Sequence, residues 1–138
     1  MQQGQEQQAA RTKTWNPESA MSHRRVVVTG MGIVSPIGNT LASAWDSIQA
    51  GRCGIGPITH FDASAYATRI AGEVRDFDPK SFLPPKDVKK MDTFIHYGLA
   101  ASFQAMDDAG LEVTEANAER IGAIIGAGIG GVRGIEDT

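Results

Sequence analysis

Three sets of residues in this chain are of types and spacings that could do chemistry. The first is a pair of glycine-rich turns, each following an apolar run. Gly30-Met-Gly32 follows Val26 to Val28, and Gly126-Ala-Gly-Ile-Gly-Gly131 follows Ile124 and Ile125. The second turn spells a complete G-x-G-x-x-G at Gly126, Gly128 and Gly131. Such a turn holds a pyrophosphate when its last glycines open a helix whose N-terminus faces the anion. The first turn does not fit that geometry. Ser35 stands where the third glycine belongs, and Pro36, Ile37 and Gly38 delay any helix to about Asn39. Roughly twenty residues further on, where a ribose-binding acid belongs, the chain reads Gly51-Arg-Cys-Gly54. The second turn stands seven residues before Thr138, so no following acid can be read. The favoured reading is that these glycines let backbone segments approach closely and adopt positive φ.

The second set is Cys53 with His23, His60 and His96. A reactive cysteine needs a helix N-terminus or a cation beside it to form the thiolate. Cys53 lies among Gly51, Gly54, Gly56 and Pro57, with no strand before it and no helix after it, so it reads as a loop residue. The histidines share no metal-ligand spacing, and His96 reads as a surface or half-buried residue in mid-helix. The third set is Lys86, Lys89 and Lys90, spaced i, i+3 and i+4. On a helix this spacing puts three ammonium groups on one face.

The elements that would position these groups follow from the apolar pattern. Arg24 to Thr29 and Ile121 to Ile125 are apolar at successive positions, as in strands covered on both faces of a parallel sheet. Asn39 offers an N-cap for a helix to about Ala50, with Leu41, Trp45 and Ile48 on one side and Gly51 past its end. Gly54, Gly56 and Pro57 mark a turn, and Arg69 to Val74 reads as a short strand. The longest helical pattern spans about Lys86 to Ala109. Its stripe is Met91, Phe94, Ile95, Leu99, Phe103 and Met106, and Gly110 stops it. Strands alternating with helices give an α/β class.

With 138 residues, 41% hydrophobic and 21% charged, the chain reads as one modest soluble domain. The net charge of −3 argues against general nucleic-acid binding. No apolar run approaches the ~20 residues of a membrane span, and a single cysteine suits a reducing cytoplasm. Residues 1–20 carry five glutamines and no apolar stretch, which reads as a disordered leader or upstream extension before a domain over 21–138.

Taken in order, several segments resemble the N-terminal part of the β-ketoacyl-[acyl-carrier-protein] synthases, most closely the synthase II branch. They are Arg24 to Gly32 with Ser35-Pro-Ile-Gly-Asn39, Gly51-Arg-Cys-Gly-Ile55, His60-Phe-Asp62, Lys90-Met-Asp-Thr-Phe-Ile-His-Tyr-Gly98, Arg120-Ile-Gly122 and Gly126 to Gly131. The resemblance implies a thiolase-like layered α-β-α-β-α fold, of which this chain holds only the first part of the N-terminal half. It implies a homodimeric cytoplasmic acyltransferase of fatty-acid elongation that uses no cofactor or metal and takes acyl and malonyl groups from acyl carrier protein. The family's nucleophilic cysteine and two histidines lie beyond Thr138, so the chain alone is expected to be inactive, with no catalytic residue of its own. Cys53 matches a position where the family commonly has a small residue such as serine.

Two further assignments come from the resemblance. It implies that Lys86, Lys89 and Lys90 dock the acidic carrier. It also implies that Ile129 lines the acyl-chain pocket, where otherwise Ile129 would fill a core gap; both readings bury it. The rival readings are synthase I, a polyketide ketosynthase, a non-catalytic chain-length factor, and a dinucleotide-dependent oxidoreductase.

Overall fold

A computed structural model describes residues 25–132. The expected leader over 1–20, His23, Arg24 and residues 133–138 lie outside the described residues. The element order is helix α1 (Leu41–Gln49), strands β1 (Ile55–Pro57) and β2 (Ile70–Gly72), the one-turn helix α2 (Pro85–Val88) and the long helix α3 (Thr93–Asp108). Two 3-10 turns, Pro79–Ser81 and Ala118–Arg120, complete it.

Helix α1 starts one residue later than expected, because Thr40 rather than Asn39 is its cap. The Thr40 hydroxyl accepts from the Ser43 N–H at 3.2 Å, and Ser43 Oγ accepts from the Thr40 N–H at 3.2 Å. This reciprocal pair satisfies two amides that the helix itself leaves open. Asn39 is engaged elsewhere, donating to the Arg75 carbonyl at 2.7 Å. The helix ends at Gly51, whose φ of 63° is the left-handed conformation that glycine adopts without strain. The expected stripe of Leu41, Trp45 and Ile48 is not the buried side. Ala44 and Ser47 are buried, while Trp45 and Ile48 are exposed.

The single long helix expected over 86–109 is two helices. Asp92 has extended φ and ψ of −76° and 159°, and its carboxylate caps the Thr93 N–H. Ladder bonding therefore stops at Val88 and restarts at Thr93. Gly110, at φ 58°, closes α3 where expected.

Helix α3 is the scaffold, and it packs through its small residues. A Cβ placed on Gly32 would collide with the Ala101 carbonyl, and one on Gly30 would lie 2.5 Å from the Ala109 nitrogen. Only glycine lets the 30–32 backbone lie that close to the helix. Polar contacts fix the register. The Met31 N–H donates to Asp108 Oδ2 at 2.9 Å, and Gln104 Nε2 donates to the carbonyls of Ile33 (3.2 Å) and Asn39 (3.0 Å). Ser35 and Gly38 then exchange two backbone hydrogen bonds around Pro36 and Ile37, closing a tight turn before α1.

The expected strands are the largest correction. Residues 25–29 and 121–125 form no strand, and Val26 and Ile124 are 94% and 100% exposed. Among the described residues neither run has a strand neighbour, so neither has a ladder to join. The sheet that does form is a two-stranded antiparallel ribbon pairing Ile55 with Gly72 and Pro57 with Ile70. Gly54 to Pro57, expected as a turn, therefore holds the whole of β1. β2 lies inside the strand expected over Arg69 to Val74. Pro57 has no N–H to give, and the ladder continues through the Ile58 N–H to the Arg69 carbonyl at 3.0 Å. Among the described residues the buried apolar side chains are Ala44, Ala63, Leu83 and Ala100.

Candidate functional site

Of the expected functional groups, the lysines, His96 and the second glycine turn lie at or beside the junction between α2 and α3. Pro84 and Pro85 start α2, since proline's fixed φ suits the first helical positions. Lys86 sits inside that turn, Lys89 is its C-cap, and Lys90 follows, its N–H donating to the Asp87 carbonyl at 3.0 Å. All three lysines are exposed. The expectation put them on one face at the start of a long helix, where cations are disfavoured. Lys89 and Lys90 instead stand at the carbonyl end of α2, where cations are favoured by a few tenths of a kcal/mol, roughly. The positive end of α3 is met by Asp92.

His96 is buried, not half-exposed as expected. It retains 7% exposure in the first turn of α3, and its Nε2 lies 3.1 Å from the Val88 carbonyl that ends α2. Sequence reasoning missed this contact. The sign that could have revealed it is Asp92-Thr93, an N-cap pair inside the apparent helical pattern.

The second glycine turn lies against the same junction. Gly131 takes φ 75°, and a Cβ there would fall 3.1 Å from Asp92 Oδ2. A Cβ on Gly130 would fall 2.7 Å from the Phe94 ring. The concave side of these two glycines is thus filled by an aromatic ring and a carboxylate, and a carboxylate there repels a pyrophosphate. Gly126 and Gly128 have open space around them within the described residues. Close approach therefore explains Gly30, Gly32, Gly130 and Gly131, but not those two. Ile129 is 85% exposed at this turn, whereas both expectations buried it. Gly130 and Gly131 carry the docking contacts, and Ile129 between them and Gly128 has no cover from the described chain.

A cleft of about 680 Å³ opens beside the junction, lined by His60, Phe61, Tyr66, Asp92, Tyr97 and Val132. Phe61 and Tyr66 meet edge to face at 5.8 Å. Burial raises the Tyr97 hydroxyl pKa above the ordinary phenol value, so Tyr97 is a neutral wall of this cleft. Cys53 is exposed in the loop between α1 and β1, with no helix N-terminus to activate it. Among the described residues no cluster of three His, Cys, Asp or Glu side chains could hold a metal ion. No helix there is long and apolar enough to cross a membrane.

Glu73 is a polar group that the sequence did not single out. Its buried carboxylate accepts from the Thr59 N–H (2.9 Å), the Thr59 hydroxyl (2.8 Å) and the His60 N–H (3.3 Å). The Thr59 bonds are the main cause that holds its pKa below the usual glutamate range. A carboxyl whose folded pKa is depressed stabilises fully above its unfolded value, about 4.3, and loses that contribution as pH falls through the folded value. Glu73→Gln is therefore expected to lower the thermal midpoint at neutral pH, and the gap to wild type should close on acidification. Thermal melts of both proteins between pH 7 and pH 3 check this; a gap constant across that range would contradict it.

Against known families, residues 23–137 match the model described as "Beta-ketoacyl synthase, N-terminal domain". The 3-oxoacyl-[acyl-carrier-protein] synthase 2 of Vibrio harveyi is 57% identical over 116 residues, covering 84% of this chain and 28% of that protein. The synthase of the same name from Synechocystis is 53% identical over 117 residues, covering 85% of this chain and again 28% of the relative. The chain thus spans little more than a quarter of the length of these relatives. Among solved structures, "The ishigamide ketosynthase/chain length factor" superposes with a TM-score of 0.56 at 40% identity, over 64% of this chain and 22% of that one.

Proposed function

Because the chain belongs to the β-ketoacyl synthase family through its N-terminal domain, we propose that it is part of a 3-oxoacyl-[acyl-carrier-protein] synthase II. The observation that carries this reading is the 57% identity to a synthase 2 across 84% of the chain. In this reading the whole protein is a cytoplasmic homodimer of thiolase-like α-β-α-β-α layers. It transfers an acyl group from carrier protein to a cysteine thiolate, then condenses it with malonyl-carrier protein after decarboxylation. A helix N-terminus lowers the thiol pKa, and backbone N–H groups hold the oxyanion. In this reading those groups lie in segments of the complete synthase beyond Thr138. The part matched here contributes a docking surface and one edge of the acyl pocket.

Lys86, Lys89 and Lys90 are proposed to receive the acidic carrier protein. Three exposed cations on one short turn raise the encounter rate with an anionic partner and orient it. Ile129 is proposed to line the acyl pocket. Its 85% exposure in this chain leaves its side chain free to meet segments or a second subunit that complete the pocket. Ile129→Phe in the complete synthase is expected to suppress turnover of long acyl chains more than short ones. Equal loss for six- and sixteen-carbon acyl substrates would remove that role.

The rival chain-length-factor reading draws support from the likeness to the solved ketosynthase/chain length factor, but at 40% identity against 57% for the synthase 2. The deciding experiment incubates the complete protein with acyl- and malonyl-carrier proteins. Release of carbon dioxide with formation of the 3-oxoacyl product is expected. A pure, folded protein giving neither would favour the non-catalytic subunit.

A further inference from the structure

The geometry points to His96 as a positioning residue that fixes the lysine turn in its docking conformation. This rests on the carrier-docking reading of Lys86, Lys89 and Lys90 and adds a residue that does not itself touch the carrier.

The break between α2 and α3 leaves one carbonyl short of its helical donor. In an uninterrupted helix the Val88 carbonyl would accept from the Asp92 N–H. Asp92 is extended, with ψ 159°, and serves as the N-cap of α3 instead. The backbone donor left to Val88 is the Met91 N–H, at 3.5 Å, the outer limit of a hydrogen bond. The imidazole of His96 supplies the better one, at 3.1 Å. A carbonyl oxygen can only accept, so Nε2 carries the proton.

His96 is anchored while the lysines are not. Its backbone N–H donates to the Asp92 carbonyl at 3.3 Å, inside the first turn of the 16-residue helix α3. The residue is buried, with 7% of its surface left exposed. The other end of the contact is a one-turn helix, far too short to hold its shape alone. The imidazole thus transfers the rigidity of α3 to the turn that carries Lys89 and Lys90. Phe77 reinforces the same side, meeting Tyr97 edge to face at 5.0 Å and stacking on Phe82 at 6.1 Å, just before Pro84. Without the imidazole bond, the lysine turn would sample other conformations, and each encounter with an anionic partner would have to select the right one.

The test uses the complete synthase carrying His96→Leu, His96→Asn or His96→Gln. Leucine removes the donor, asparagine is too short to reach Val88, and glutamine can place an amide N–H near the lost Nε2–H. Two readouts are taken. Amide hydrogen exchange at residues 89–92 reports the turn itself, and steady-state kinetics compares carrier-borne acyl substrate with the acyl thioester of a small thiol.

Exchange at 89–92 is expected to quicken about tenfold in the Leu and Asn variants and to return toward wild type in Gln. The KM for carrier-borne substrate should rise about five- to tenfold in Leu and Asn, with kcat and the small-thioester KM unchanged. Unchanged exchange in folded Asn and Leu variants would overturn the proposal, as would equal losses on both substrates. Should the Leu variant fail to fold, the Asn and Gln pair gives the same contrast. Lys89→Glu/Lys90→Glu separates the two ideas. If that variant leaves the carrier KM unchanged, the docking reading fails, and the exchange data still decide whether His96 holds the turn.

Discussion

Replacing Gly32 by alanine should destabilise the chain by about 3 kcal/mol, at the upper end of what overpacking a core position costs. The obstruction is the Ala101 carbonyl, with the Ala105 nitrogen 2.9 Å away. Neither is the far end of a flexible side chain that could swing aside. To admit a methyl group the 30–34 segment must lift from α3. Lifting it would also stretch the Met31 bond to Asp108 and the Gln104 bond to Ile33. Gly30→Ala should act in the same direction, because its Cβ meets both the Ala109 nitrogen and the Ala109 methyl. Gly126→Ala is the internal comparison. It has open space and no positive φ, so it should be neutral, or stabilising by up to ~1 kcal/mol through the unfolded state. Denaturant unfolding of the three variants checks the ordering. An unfolding midpoint for Gly32→Ala equal to wild type would show that the 30–34 backbone does not lie against α3.

Reversing the charge at Lys89 and Lys90 should weaken the use of carrier-borne substrate by about tenfold at low salt. An exposed ion pair contributes ~0.2–1 kcal/mol. Two reversals exchange two attractions for two repulsions, so the summed effect falls in the range of ~1–2 kcal/mol. The lysines are exposed and their contribution is screened, so the defect should shrink as the Debye length falls from ~10 Å at 0.1 M salt to ~3 Å at 1 M. The loss should appear in KM and association rate, with kcat for a small acyl thioester unaffected. Measuring carrier affinity at two salt concentrations distinguishes this from a folding defect, which salt screening would not repair. Affinity unchanged at low salt would remove the lysine turn from the docking surface.

How far the sequence disclosed all this depended on whether the signal was local. Gly51 and Gly110 marked helix ends because positive φ is a property of one residue and its neighbours. The lysine turn was visible for the same reason, although its position at the end of α2 rather than the start of α3 was not. That error came from reading an apolar period straight through Asp92, whose extended backbone resets the helix. The valine run at 26–28 and the isoleucines at 124 and 125 misled differently. Their composition says only that they suit a strand covered on both faces, and strand formation needs partners. The family match made the segment order meaningful, yet the bonds of Glu73 and His96 were invisible. Each contacts residues eight or more positions away, through bonds that no periodicity encodes.

The open valine run also bears on how such a polypeptide must be handled while it is being made. Three consecutive β-branched side chains in water, with no strand beside them among the described residues, are a template on which a second nascent copy can add. Crowded polysomes would bring such copies together. Holding translation products apart, by dilution or by a chaperone that grips short apolar runs, should therefore raise the soluble yield.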